Sequence, residues 1–129
     1  METMKQKLAT IFLATAFAVG IYAQEQKVTL EIDYGGKKAN ETHQINWFEG
    51  ITAMTALQSC ATVESYPVKE YIFVTTINGI KTERTVMAWY YTVNGQSTGK
   101  LAFRYNVKPG DTVRWVYKTD VCSKPDTVE

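Results

Sequence analysis

The sequence predicts an α+β domain in which one amphipathic helix packs on one face of a mixed, β-grasp-like sheet. Runs of β-branched and aromatic residues dominate the chain after Glu70, which is typical of strands. A single stretch with helical spacing precedes them, and two further strand patterns come before that stretch. The resulting order, β-β-α-β-β-(β)-β with its one early helix, favours the β-grasp arrangement.

The first two strands are predicted on either side of a glycine turn. Residues 27–34, KVTLEIDY, alternate apolar and polar side chains, as a strand with one buried and one hydrated face does. Gly35-Gly36 then turns the chain, and a weaker strand pattern follows at about residues 42–47.

The predicted helix lies in residues 51–61, ITAMTALQSCA, where apolar residues recur every three or four positions. This spacing predicts one amphipathic helix of about three turns. Tyr66-Pro67 is its latest possible end, because the residue before a proline avoids helical backbone angles.

Four strand-like runs follow the helix, and the third of them is less regular than the others. They are YIFVTTI at 71–77, VMAWYYTV at 86–93, LAFRYNV at 101–107 and TVRWVY at 112–117. Asn-Gly pairs end the first two runs and suit turns that need positive φ. From about residue 119 onwards we expect a flexible polar tail.

The first 23 residues differ from the rest and predict a cleaved signal peptide. Two lysines precede an uncharged apolar run, residues 8–22, and Ala23 supplies the small residue of a cleavage site. The run is too short to span a membrane comfortably, and Gln24 stands where a lipoprotein would have cysteine. We therefore expect one soluble domain, residues 24–129, secreted or periplasmic in a bacterial envelope, with no membrane span after cleavage.

The charge balance argues against two classes of partner. Beyond the predicted signal, twelve basic side chains balance twelve acidic ones. A balanced chain lacks the electrostatic field that draws proteins to nucleic acids or to anionic membranes. No nucleic-acid partner is expected.

The sequence offers little for catalysis. His43 is the sole histidine, and a lone imidazole lacks the partners needed to bind a metal or relay protons. There is no nucleophile motif, no pair of histidines and no cluster of carboxylates. We expect no enzyme, no metal site and no required cofactor.

Cys60 and Cys122 leave two interpretations open. Export to an oxidising compartment favours a disulfide between them. Alternatively, Cys60 is a small buried residue and Cys122 a thiol of the tail, since sequence does not show whether the two sulfurs meet.

The aromatic run at 86–93 is the first candidate binding surface. Alternation puts Trp89 and Tyr91 on one face of the strand and Tyr90 on the other. Only one face packs under the helix, so the other presents large rings to solvent or to a partner. Together with Tyr105, these side chains are either ordinary core and surface or a flat aromatic platform for a ring-like or apolar ligand.

Four segments stand in a fixed order in the second half of the chain. They are FVTTING at 73–79, WYYTVNG at 89–95, Tyr105 and PGDTV at 109–113. Together they resemble the transcobalamin-like C-terminal domain of the cobalamin carriers, which also occurs as small exported bacterial proteins. The resemblance implies a β-grasp-like fold and a non-enzymatic binding protein, with cobalamin or another corrinoid as the favoured ligand.

The resemblance also implies a site. Trp89 and Tyr90 fall where the carriers place ligand-facing residues, Asn78 lies in the neighbouring turn, and Tyr91 and Tyr105 complete the predicted ligand-binding set. The carriers hold the other face of the ligand with a helical barrel that this sequence lacks. Much of the ligand would then stay in water, so high affinity is not expected from this chain alone.

A second hypothesis, from another class, is an envelope protein–protein interaction module. β-Grasp domains expose sheet edges that can pair with an extended segment. Such a module would bind a surface or transporter protein through a sheet edge or the aromatic face, and the partner could also complete a corrinoid site.

Overall fold

The computed structural model describes residues 26–121, which form seven strands, one short α-helix and one 3₁₀ turn. The predicted signal peptide and most of the predicted tail, including Cys122, lie outside the described residues. In chain order the elements are β1 (Lys27–Asp33), β2 (Glu41–Asn46), α1 (Ala53–Gln58), β3 (Val63–Val68), β4 (Tyr71–Ile77), β5 (Ile80–Lys81), β6 (Met87–Val93), the 3₁₀ turn (Ala102–Arg104) and β7 (Thr112–Thr119).

The strands form two sheets instead of one. A four-stranded sheet has the order β2-β1-β7-β6, in which β1 and β7 run parallel and the other neighbours run antiparallel. A three-stranded antiparallel sheet has the order β3-β4-β5. The predicted α+β, β-grasp-like arrangement is therefore wrong: the described residues are mostly β, and their one α-helix has six residues.

The helix ends at Gln58, three residues before the end of the predicted range 51–61, because strand β3 begins soon afterwards at Val63. Thr52 starts the helix in a capping box with Thr55. Only a few residues beyond its end, Val63 already pairs with Ile77 of β4. The extended backbone that Pro67 imposes on its predecessor suits this strand, and the proline is tolerated because β3 is an edge strand. Among the described residues no helix is long and apolar enough to cross a membrane.

The core lies against one face of the four-stranded sheet. Leu57 of α1 and Ile77 of the second sheet belong to the same buried cluster, so one core joins both sheets. The alternation predicted for β1 is correct, since Val28, Leu30 and Ile32 are fully buried. On β7 the side chains of Val113, Trp115 and Tyr117 are at most 2% exposed and form the matching buried face. This buried aromatic row on β7 supports the strand beside it, β6.

A tight turn follows β1, and its backbone lies close to the backbone of β7. Gly35 has a φ of +62°, and a Cβ atom at this position would lie 2.4 Å from the carbonyl oxygen of Tyr117. Positive φ and close backbone approach both favour glycine here. At the next position, Gly36 also has positive φ, +88°, but nothing lies within 4 Å of the place its Cβ would take.

Residues 101–107, predicted as an irregular strand, form the 3₁₀ turn and a connection towards β7. Their backbone bonds to the start of the helix region instead of to a strand. The Ala53 N–H donates to the carbonyl oxygen of Tyr105 at 3.0 Å, and the Val107 N–H donates to that of Ile51 at 2.9 Å. These bonds hold the segment beside α1, so it does not extend a sheet.

Candidate ligand-binding groove

A groove of about 790 Å³ lies between the β3–β4 hairpin, the outer edge of β6 and the loop of residues 97–102. We term it the β6 groove. Its volume falls within the range of about 300–1,000 Å³ that is usual for small-molecule sites. Its lining is mainly apolar and aromatic with a few polar groups, which is also typical of such sites.

The hairpin wall presents apolar side chains that the core does not use. Tyr66, Val68 and Phe73 are 63%, 45% and 41% exposed. They project because β4 pairs with β5 only at Thr76 and Ile77, which leaves the outer half of the hairpin without a third strand. Clustered exposed apolar side chains mark binding surfaces, whereas scattered ones do not.

The sequence interpretation missed this wall, although a signal for it was present. Two apolar runs, residues 66–68 and 71–74, are separated only by Lys69-Glu70. Strand-like runs separated by two residues indicate a hairpin. Lys69 has a φ of +56°, a backbone conformation that lysine rarely adopts. The residue type at this position therefore did not indicate the turn.

Arg104 ties the tip of the hairpin to the 3₁₀ turn. Its guanidinium carbon lies 5.2 Å from the ring centroid of Tyr71 and 5.0 Å from that of Phe103. A cation between two aromatic rings attracts both through their quadrupoles. The contact holds the tip of the hairpin beside the 3₁₀ turn that follows the loop of residues 97–102.

Trp89 lines the groove from within the core. The residue is 7% exposed, and its indole N–H donates to the Ile80 carbonyl oxygen at 2.8 Å. Its ring lies 5.8 Å from the Tyr34 ring and 5.1 Å from the Tyr117 ring, centroid to centroid. Most of the indole is thus used for packing, and only its margin is available to a ligand.

Tyr91 connects β6 to the loop of residues 97–102, which we term the loop wall of the groove. Its ring stacks on Trp115 with centroids 5.3 Å apart. Its hydroxyl lies 2.6 Å from the Thr98 hydroxyl and donates to the Lys100 carbonyl oxygen. Burial raises the pKa of Tyr91 above its ordinary value. The loop is therefore held against β6 by a neutral, hydrogen-bonded phenol.

Tyr90 also lines the groove but belongs to the other face of β6. Its hydroxyl donates to Asp120 at 3.3 Å and accepts the Val121 N–H at 3.0 Å. The ammonium of Lys118 lies 5.1 Å from its ring centroid. Tyr90 is half-buried, so part of the ring remains open to a ligand.

The structure separates the predicted ligand-binding set into two groups. Trp89, Tyr90 and Tyr91 line the β6 groove, whereas Asn78 and Tyr105 do not. Tyr105 packs edge-on against Tyr91, with ring centroids 6.5 Å apart. Its place is therefore behind the groove wall.

Asn78 organises the turn between β4 and β5. Its side-chain amide donates to the Tyr34 hydroxyl and accepts the Thr62 N–H, both at 2.8 Å. Its φ of +47° is the conformation expected of an Asn-Gly turn. These bonds fix the base of the hairpin, and Asn78 is not among the residues that line the groove.

Cys60 follows α1 and is partly buried. Within residues 26–121 it forms no disulfide, and Cys122 lies outside the described residues. The disulfide stays a prediction.

The buried phenol of Tyr34 is expected to make stability depend on alkaline pH. Its hydroxyl donates to Glu41 at 2.6 Å, and burial together with that carboxylate raises the pKa from 10.0 to about 12. Because the folded protein holds the neutral phenol more strongly than the unfolded chain does, the phenol adds to the free energy of unfolding. This contribution is complete below pH 10 and is lost as the pH rises towards 12. Two pKa units correspond to about 2–3 kcal/mol.

Urea denaturation between pH 9 and 12, roughly the span of this titration, measures the effect. The free energy of unfolding of the wild type should fall more steeply than that of Tyr34→Phe, because both proteins share the other tyrosines. Parallel curves would contradict the assignment to Tyr34.

Charged groups are few in the groove. Arg84, Lys100 and Asp120 line it. No carboxylate within residues 26–121 forms an ion pair with Lys100. The same part of the chain contains no group of three or more His, Cys, Asp or Glu side chains that could hold a metal ion.

A family described as "Domain of unknown function (DUF4430)" has a model that matches residues 50–119. This range runs from the helix to the end of β7 and contains nearly all of the groove lining. No curated protein matches the sequence.

Several solved structures have a similar fold. A candidate metal binding protein from Ruminococcus gnavus superposes with a TM-score of 0.63 at 17% identity, over 74% of this chain and 99% of that chain. Haptocorrin in complex with Cbi superposes with a TM-score of 0.61 at 12% identity, over 74% of this chain and 25% of haptocorrin. The chain thus shares the fold of one quarter of haptocorrin.

Proposed function

This chain belongs to the DUF4430 family, and we propose that it is an exported, non-enzymatic ligand-binding protein of the bacterial envelope. The ligand occupies the β6 groove, and cobalamin or another corrinoid is the favoured one. The observation that carries this proposal is the groove itself: a concave, mainly apolar and aromatic surface that the core leaves open.

The choice of a corrinoid has two supports. The sequence segments at 73–79 and 89–95 resemble the C-terminal domain of the cobalamin carriers. The first segment contributes to the hairpin side of the groove, and the second contributes the β6 side. Haptocorrin, which was solved in complex with Cbi, contains a region of similar fold. A flat macrocycle presents a large apolar face, which matches exposed rings such as Phe73.

The open side of the groove sets the expected affinity. Nothing in residues 26–121 covers the exposed hairpin side chains, so a bound macrocycle keeps one face in water. Affinity depends on the surface that is desolvated and ordered, not on the ligand's total area. We expect a dissociation constant in the micromolar range, about −8 kcal/mol.

Titration calorimetry with cyanocobalamin tests the proposal, and Phe73→Ala is the informative variant. Phe73 lines the groove and is 41% exposed, so its loss removes contact area with little effect on the core. We expect binding to weaken by about tenfold or more, which is 1.4 kcal/mol.

Phe48→Ala is the matched control, because Phe48 is 54% exposed and lies outside the groove lining. Its affinity should equal that of the wild type. Equal losses in the two variants would place the ligand elsewhere. No heat at millimolar cyanocobalamin would reject a corrinoid as the ligand.

A further inference from the structure

The outer edge of β6 is paired by the chain's own backbone at both ends and is open between them. At one end Met87 and Glu83 exchange two main-chain hydrogen bonds of 2.7 and 2.8 Å. At the other end Val93 and Gln96 exchange bonds of 2.9 and 3.1 Å. The pairing with β7 occupies only the inner edge of the strand.

The register shows which residues face outwards. The Asn94 N–H donates to Thr112 of the neighbouring strand, so in the antiparallel ladder Thr92, Tyr90 and Ala88 also bond to β7. The residues between them turn their N–H and C=O groups to the outer edge.

Trp89 and Tyr91 are the two outward-facing residues between the bridges. No main-chain or side-chain group within residues 26–121 bonds to their N–H or C=O. The strand therefore presents two donors and two acceptors.

These four groups lie on the wall of the β6 groove, since both residues line it. Trp89 is more than nine-tenths buried, and backbone groups in such surroundings are nearly always paired. Residues two apart on a strand are separated by about 6.8 Å, which is the repeat of an extended peptide backbone. An extended segment therefore matches all four groups at once, as in strand addition to a sheet edge.

Charge indicates the kind of segment. Two cations, Arg84 and Lys100, and one carboxylate, Asp120, line the groove, and Arg104 stands near it with its guanidinium over two rings. Lys100 and Arg104 form no ion pair with a carboxylate of residues 26–121. The hairpin wall opposite is apolar. The complement is an extended backbone that carries an apolar side chain next to an acidic one.

We propose that the β6 groove accepts a short extended segment of a partner protein, which joins the edge of β6 by pairing with the main chain of Trp89 and Tyr91. The bridges at Met87 and Val93 limit the pairing to about three residues of the partner. An acidic side chain of the segment lies near Lys100. This inference goes beyond corrinoid binding, and a peptide and a macrocycle would compete for the same groove.

Amide hydrogen exchange, followed by NMR on the purified protein, tests the proposal residue by residue. In the free protein the amides of Trp89 and Tyr91 should exchange about tenfold or more faster than those of Tyr90 and Thr92 in the same strand. The probe is a blocked hexapeptide of alternating valine and glutamate. At saturation it should slow the two fast amides by about tenfold or more and leave their neighbours unchanged.

The control probe is the same hexapeptide with its backbone amides N-methylated, which keeps the side chains but removes the donors. It should neither bind nor slow exchange. Lys100→Gln should weaken binding of the glutamate peptide by about threefold or more and leave a valine–threonine version unaffected.

Three results would overturn the proposal. They are slow exchange of both amides in the free protein, peptide binding that leaves them unchanged, and the absence of binding by either unmethylated peptide at millimolar concentration. Titration with cyanocobalamin is independent of all three. Failure of the peptide arm alone rejects strand addition, and failure of the cobalamin arm alone rejects the corrinoid.

Discussion

The Trp89→Ala variant should unfold with a free energy about 3–5 kcal/mol lower than that of the wild type. Trp89 is 7% exposed, packs against the rings of Tyr34 and Tyr117, and bonds to the Ile80 carbonyl oxygen. Removing the indole opens a cavity where the two sheets meet and leaves the partly buried Ile80 carbonyl without its donor. Both effects destabilise the folded state.

Urea denaturation followed by circular dichroism measures this loss, and Trp89→Phe separates its two causes. Phenylalanine keeps most of the volume but cannot donate to Ile80, so we expect a loss of about 1–3 kcal/mol. A loss below about 1 kcal/mol in the alanine variant would mean that the ring is not part of the core. Reduced ligand binding by Trp89→Ala would therefore not locate a ligand, which is why Phe73 carries the binding test.

The second large effect is expected at Gly35. A Cβ atom there would lie 2.4 Å from the Tyr117 carbonyl oxygen, and that atom is backbone in the central strand β7. Gly35→Ala therefore combines the cost of positive φ, about 1–2 kcal/mol, with an overpacking cost of about 1–3 kcal/mol.

Gly36→Ala provides the matched control, since this position has positive φ but open space around it. Its loss should be limited to the backbone cost of about 1–2 kcal/mol. Thermal and urea unfolding of the two variants give the comparison directly. Equal stability of the two proteins would show that the chain shifts away from Tyr117 without cost.

Part of the fold could be read from the sequence. Alternation located β1 and β6 because each buries one face, a run of β-branched and aromatic residues located β7, and the Asn-Gly pairs located two turns. The length of the helix could not be read, because residues 59–61 continue its apolar spacing while the pairing of Val63 with Ile77 ends it. That pairing joins residues fourteen positions apart and leaves no local pattern.

The candidate site shows the same limit. The aromatic run gave the β6 wall, but alternation alone does not tell which face meets the core. The face of Trp89 and Tyr91 proved to be the one that packs on the core, with Trp89 buried and Tyr91 partly buried. Asn78 has a local turn signal, yet its bond to Tyr34 bridges 44 positions and depends on the fold. The groove exists only because the hairpin, β6 and the loop wall meet in space.

The two bridges at the ends of β6 also bear on how this protein behaves in concentrated solution. An edge strand that is open along its whole length can pair with the same strand of another molecule and start an aggregate. Here the chain's own Glu83 and Gln96 occupy both ends, and the open stretch of two residues lines the β6 groove. A full-length edge strand of a second molecule would meet these two bridges and could not pair along its length. A short extended segment needs only the free groups between the bridges.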